Sequence, residues 1–191
     1  MGKKLDHLAP EWQEFIKSYR NFDQATDDGV HLVSCHLAPE SRLILCSIAT
    51  LDHEASDLRL VNRAAHKAMQ RALQAGSQRP CIQIALAEQD LASLETACFG
   101  AMSALWIPLE ARELAKGGSI EALGIVCGKV TELNLHQHKD AWSRWLNAVE
   151  HGRIVARDVC GTEPERMSPP KLAELCKKIF RGTCIDIDIV K

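Results

Sequence analysis

The stretch from Ser56 to Ala75 constrains this 191-residue chain more than any other. Leu58, Val61, Ala65, Ala68, Met69, Ala72 and Leu73 recur at i, i+3, i+4 and i+7 spacing. One stripe of a helix is therefore apolar and must be buried. Ser56 suits the cap position, Asp57 suits the positive end of the helix dipole, and Gly76 suits the close. Just upstream, Arg42 to Ala49 is nearly continuously apolar through Leu43, Ile44, Leu45, Cys46 and Ile48. Such a run reads as a strand covered on both faces. A one-striped helix beside a strand that needs two covers predicts a layered α/β arrangement.

The rest of the chain repeats this alternation. Ala9 to Phe15 reads as a short helix with Pro10 in its first turn, and Asp23 to Gly29 is a polar break. Val30 to Cys35 and Pro80 to Leu86 read as strands, and so does Ala122 to Val130. Asp90 to Trp106 reads as a helix whose small residues (Ala92, Ala97, Gly100, Ala101, Ala104) permit close packing. A long helix is expected over Asp140 to Cys160, with a stripe of Trp142, Trp145, Leu146, Val149, Gly152, Ala156 and Val159, and Gly161 as its stop. A stiff connector, Thr162 to Pro170, follows. Ser168 and Pro169 then open a helix over Leu172, Leu175, Cys176 and Ile179, which Gly182 ends. Finally, Ile185, Ile187 and Ile189 alternate with Asp186 and Asp188, the pattern of a strand with one buried face. That strand needs a neighbour, either the preceding sheet or a further domain. The expected fold is α/β, with a mixed or mostly parallel sheet flanked by helices.

Composition closes off several classes. A hydrophobic content of 46% excludes wholesale disorder. A formal charge of -2 gives no broad attraction to nucleic acid or anionic membrane. No apolar run approaches the length of a bilayer span. The N-terminus lacks an apolar core behind Lys3 and Lys4, so no secretory signal is expected. Asp6 also stands where a myristoylation pattern wants Ser or Thr. The four Asn residues lack glycosylation sequons, and the eight cysteines (35, 46, 81, 98, 127, 160, 176, 184) form no C-x-x-C. Most of the cysteines lie in apolar segments, where a free Cys is a small buried hydrophobe, and they are expected to be reduced in a cytoplasmic protein.

Candidate chemistry is sparse. His31 and Cys35 share one face of a strand and His36 takes the other, so the trio does not converge on a metal. His136 and His138 lack a Cys or carboxylate cluster to complete a site, and both read as loop or surface histidines. No G-x-S-x-G, G-x-G-x-x-G, Walker A or H-E-x-x-H pattern occurs. Asp186 and Asp188 read as solvated charges on a strand. Arg153, Arg157, Arg166, Lys171, Lys177, Lys178 and Arg181 contain one aromatic among them, Phe180, too few for a base-stacking platform. They read as solvated helix faces.

The run Gly152 to Pro169 resembles the interdomain segment of leucyl (cytosol) aminopeptidases. In that family a helix ending Ala-Arg-Asp-Leu leads through a turn to Met-Thr-Pro. Here Ala156-Arg157-Asp158-Val159 and Met167-Ser168-Pro169 match. Gly161, Glu163 and Glu165 stand where the family carries Asn, Pro and a second Asn, which marks a divergent branch. Upstream, Arg42 to Ala49, Asn62 to Met69 and Ala97 to Met102 resemble the family's first central strand, its Ala-rich helix and its later small-residue helix.

This resemblance implies a macrodomain-like N-terminal domain. The division it implies is an extension over 1–29, that domain over 30–161, and a connector with the start of a catalytic domain over 162–191. It also implies a homohexamer, peptide substrates, and two divalent metals, Zn or Mn, held in the catalytic domain. The hallmark Asn-Thr-Asp-Ala-Glu-Gly-Arg-Leu segment is not in this sequence, so matching assigns no catalytic, cofactor-binding or metal residue here. Two alternatives stand beside it. A macrodomain-like fold implies an ADP-ribose or nucleotide module, with Gly117-Gly118 the chain's one double glycine. A thiol or metal protein using the cysteines ranks last.

Overall fold

The structure is a computed structural model that describes residues 8–27, 29–48, 57–85, 91–114, 120–126 and 135–190. The chain divides into two compact units, Met1–Trp106 with Ser119–Glu150, and Ile107–Gly118 with His151–Lys191.

The first unit carries the alternation expected from sequence. Its elements are α1 (Pro10–Phe22), β1 (Val30–Ser34), β2 (Arg42–Cys46), α2 (Arg59–Gln74), β3 (Cys81–Gln83), α3 (Leu91–Ser103) and β4 (Gly124–Val126). In the second unit, α4 (Leu109–Leu114) and α6 (Pro169–Ile179) join the end of α5 (Leu135–Gly161). β1 and β2 are antiparallel, from Val30 opposite Cys46 to Ser34 opposite Arg42. β3 and β4 are parallel, with Cys81 opposite Gly124. The class is mixed α/β, with helices flanking small sheets that include a parallel pair, consistent with a macrodomain-like architecture.

β2 shows why its sequence is apolar throughout. Ile44 packs on Met69 and Ala72 of α2 and Ala101 of α3. Its neighbour Leu45 packs with Leu8 and with Ile16 of α1. Successive strand residues point to opposite faces, and here each face meets helices. Arg42 ties this strand to α2: its guanidinium donates to the Ala75 carbonyl at 2.6 Å and pairs with Glu40. The contact satisfies a free carbonyl at the negative end of the α2 dipole.

α2 ends as expected. The Gly76 amide bonds the Leu73 carbonyl and the Ser77 amide bonds the Ala72 carbonyl, with Gly76 at φ +75°. This is a Schellman close, and the left-handed residue within it favours glycine. At the other end Leu58 holds the cap position, the Asp57 carboxylate accepts the Arg59 amide at 2.8 Å, and Ser56 lies outside the described residues.

The core sits where α2 meets α3. Val61, Ala65, Leu94, Ala97 and Cys98 are buried there together with Ile84 and with Leu146 of α5. The backbones approach so closely at Gly100 that a Cβ there would stand 2.3 Å from the Asn62 carbonyl oxygen. Polar bonds flank the contact: the Asn62 side-chain amide donates to the Thr96 carbonyl at 3.1 Å, and His66 Nδ1 lies 2.8 Å from Ser103 Oγ.

Three expectations change. α5 begins at Leu135 rather than Asp140, and its apolar stripe does not stay buried. Leu146 is 1% exposed, whereas Trp145 is 45% exposed with its ring edge-on to Phe99 at 5.8 Å. Past Glu150 the helix belongs to the second unit, which supplies no buried apolar cluster among the described residues. Cys184 to Ile189 is irregular rather than a strand, because no described strand bonds to it. The Ile185 amide turns instead to Thr183 Oγ1 at 3.2 Å. The cysteines also divide: Cys35 and Cys98 are buried, while Cys81, Cys160 and Cys184 are exposed.

Two glycine substitutions separate packing from backbone effects. Gly100→Ala forces a methyl against a main-chain oxygen and is expected to cost about 1–3 kcal/mol. Gly152→Ala meets nothing within 4 Å inside α5 and is expected to stabilise by about 0.5–1 kcal/mol. Urea denaturation of both variants measures the difference.

Candidate functional site

The histidine and cysteine candidates fall on different elements. His31 is half-buried on β1, Cys35 is buried just beyond its end, and His36 is exposed with its ring edge-on to Phe15 at 6.3 Å. His136 and His138 fall within α5 rather than in a loop. Among the described residues no three His, Cys, Asp or Glu side chains group to hold a metal ion. Asp186 and Asp188 are exposed in the irregular tail, and Gly117-Gly118 and Cys127 lie outside the described residues.

Burial pushes the Cys46 thiol up, with Lys67 opposing. Cys81 is exposed as a whole residue, but burial around its sulfur pushes its thiol up too. Raised thiols are poor nucleophiles at neutral pH.

The Ser103 hydroxyl beside His66 also has a main-chain acceptor within reach. Ser103 Oγ lies 2.7 Å from the Gly100 carbonyl, to which it can donate, and 2.8 Å from His66 Nδ1, whose role as donor or acceptor follows the imidazole tautomer. An activated serine gives its proton to the imidazole, and here the Gly100 carbonyl competes for that proton.

The side chains that do converge lie at the connector. Asp158, from the matched Ala156-Arg157-Asp158-Val159 segment, is 16% exposed and pairs with Arg112 of α4. Arg166 is bidentate to Glu113 of α4, at 2.6 and 3.0 Å. Glu110, one helical turn earlier, accepts the Glu163 backbone amide at 3.1 Å. Glu163 in turn caps its own turn, its two carboxylate oxygens accepting the Glu165 and Arg166 amides at 3.0 and 3.2 Å. Sequence reading placed Arg166 on a solvated face and passed over α4. The signal for α4 was Pro108 ahead of Leu-Glu-Ala-Arg-Glu-Leu, a good first-turn residue before strong helix formers.

The electrostatics follow from these bonds. The Glu163 amide, followed by the helix's own amide, holds the Glu110 carboxyl below its ordinary range. The Arg166 guanidinium does the same for Glu113, and Glu113 raises Arg166 in return. Beside them, Thr162 is buried with its hydroxyl lacking a partner among the described residues. The arrangement positions backbone; it holds no nucleophile and base within reach of each other.

No family model matches the chain. A Caenorhabditis elegans protein named "putative aminopeptidase" is 26% identical over 189 residues, which is 98% of this chain and 35% of that relative. The chain thus spans about a third of the length of the curated relative it matches. The match makes an aminopeptidase-related link for nearly the whole chain.

Both lowered glutamates have the same sign of linkage. Their folded values lie below the unfolded ones, so their contribution is present above the ordinary value of 4.5 and lost as pH falls below it. Carbon-detected NMR titration is expected to place both midpoints under 4.5, and Arg166→Gln is expected to return that of Glu113 toward it. Thr162→Val replaces a partnerless buried hydroxyl with a methyl of like shape. It is expected to leave stability unchanged or raise it by about 1 kcal/mol in chemical denaturation.

Proposed function

We propose that the chain is the N-terminal, non-catalytic portion of a leucyl-aminopeptidase-like metallopeptidase, which removes N-terminal amino acids from peptides. The observation that carries this reading is the extent of the match: 98% of the chain aligns to 35% of an aminopeptidase-named relative. The connector motif supports it, since Ala156-Arg157-Asp158-Val159 and Met167-Ser168-Pro169 flank the turn that α4 holds. The second unit supports it as well. Its described residues carry exposed Leu114, Ile185, Ile189 and Val190 and no buried apolar cluster, as a surface awaiting further chain would.

In this reading the protein's own catalytic domain is the chain's first partner. The two divalent metals, Zn or Mn, belong to that domain and supply Lewis-acid activation of water there. The described side chains do not fit such a site, and no step of the reaction is assigned to them. The role of this portion is assembly, as a homohexamer, and access to the active site. No helix among the described residues is long and apolar enough to cross a membrane, and a cytoplasmic location is part of the proposal. The ADP-ribose alternative has its glycine pair outside the described residues and gains no support.

The test is amide hydrolysis of leucine substrates with added Mn²⁺ or Zn²⁺. The 191-residue chain alone is expected to show no metal-dependent turnover. Robust turnover by this chain would overturn the reading, and calorimetric binding of ADP-ribose tighter than millimolar would favour the alternative.

A further inference from the structure

The contacts of α4 form a chain of alternating charge: Asp158 to Arg112, then Glu113 to Arg166, with Glu110 on the Glu163 amide between them. Each link joins α4 either to the last turns of α5 or to the turn that follows it. α5 ends at Gly161 and α6 begins at Pro169, so residues 162–168 are the only place where the chain changes direction between these helices. Apart from the pairs, the bonds of that turn to described residues are local. The Arg166 and Met167 amides reach the Glu163 carbonyl at 3.0 and 3.3 Å, and the Glu163 carboxylate serves its own neighbours. Among the described residues the buried Thr162 hydroxyl has no partner there and no apolar cluster backs the turn.

We infer that α4 is a salt-sensitive clasp on this turn, a conformational device that sets the direction in which α6 and the chain after it leave α5. Closed, Glu110 and Glu113 hold Glu163 and Arg166; open, the turn loses these bonds and α6 is left with the packing of its half-buried Leu172, Leu175, Cys176 and Ile179. The pairs are exposed, Arg166 by 41% and Glu113 by 51%, so dissolved ions compete with them and each contributes modestly. Together they bias a two-state segment rather than lock it. This inference does not rest on the peptidase reading and survives its failure.

The experiment is amide hydrogen exchange by NMR on the whole 191-residue chain. The direct reporter is the Glu163 amide, whose acceptor is Glu110. Raising salt from low to molar concentration is expected to speed its exchange and that of Arg166 several-fold, leaving α2 and α3 unchanged. Glu113→Gln and Arg166→Gln are each expected to do the same at low salt, and the double variant is expected to be no faster than either, because the second substitution finds the pair already broken. Glu165→Gln, in the same turn, is expected to have no effect. Exchange at Glu163 that ignores salt in the unmodified protein would overturn the clasp, and so would single-variant effects that simply add.

Discussion

The approach of α3 to α2 at Gly100 is the contact on which the first unit depends. Where a backbone oxygen lies so near, no side chain fits, and only glycine permits the two helix axes to close. That closeness is what buries Val61, Ala97 and Cys98 together and lets Ile44 reach both Met69 and Ala101. The strand layer then follows. β2 is covered on one side by the helix pair and on the other by α1, and β1 bonds along its edge. Pulling the helices apart would open the core and remove one cover of β2 in the same event. Dispersion and burial both fall off over a fraction of an ångström, so an interface this tight has little tolerance for an added methyl.

The second unit is held by different physics. Its described residues show paired charges and capped turns in place of a buried apolar cluster. Apolar burial is insensitive to salt screening, whereas exposed ion pairs are not. The two units therefore answer to different solution conditions. Ionic strength acts mainly on the connector, and chaotropes act mainly on the α2–α3 core.

Much of the body was legible because its signals are local. The stripe over Val61, Ala65, Met69 and Ala72, the Schellman glycine Gly76 and the two-faced run at Leu43 to Cys46 all depend on neighbours within a few residues. The small residues of α3 announced close packing, but only the fold shows that Gly100 meets a backbone oxygen while Ala92 is exposed. The connector was visible as a motif, while its grip was not. Arg112 and Asp158 lie far apart in sequence, as do Glu113 and Arg166, and no local pattern links them. The α5 stripe was over-read for a related reason, since periodicity marks which face would be buried but not whether anything lies against it. Trp145 keeps the period and remains half in solvent.

The tail shows the same gap between pattern and partner, with a consequence for how copies of the chain behave in crowded solution. Ile185, Ile187 and Ile189 form the kind of alternating segment that recruits other strands, and Ile185 and Ile189 are open to solvent. Between them stand Asp186 and Asp188, both exposed. If two tails stacked in register, those carboxylates would face their own kind across the ladder, and like charges directly opposite one another oppose pairing. The two exposed aspartates thus set a charge penalty against parallel, in-register pairing of one tail with its own copy.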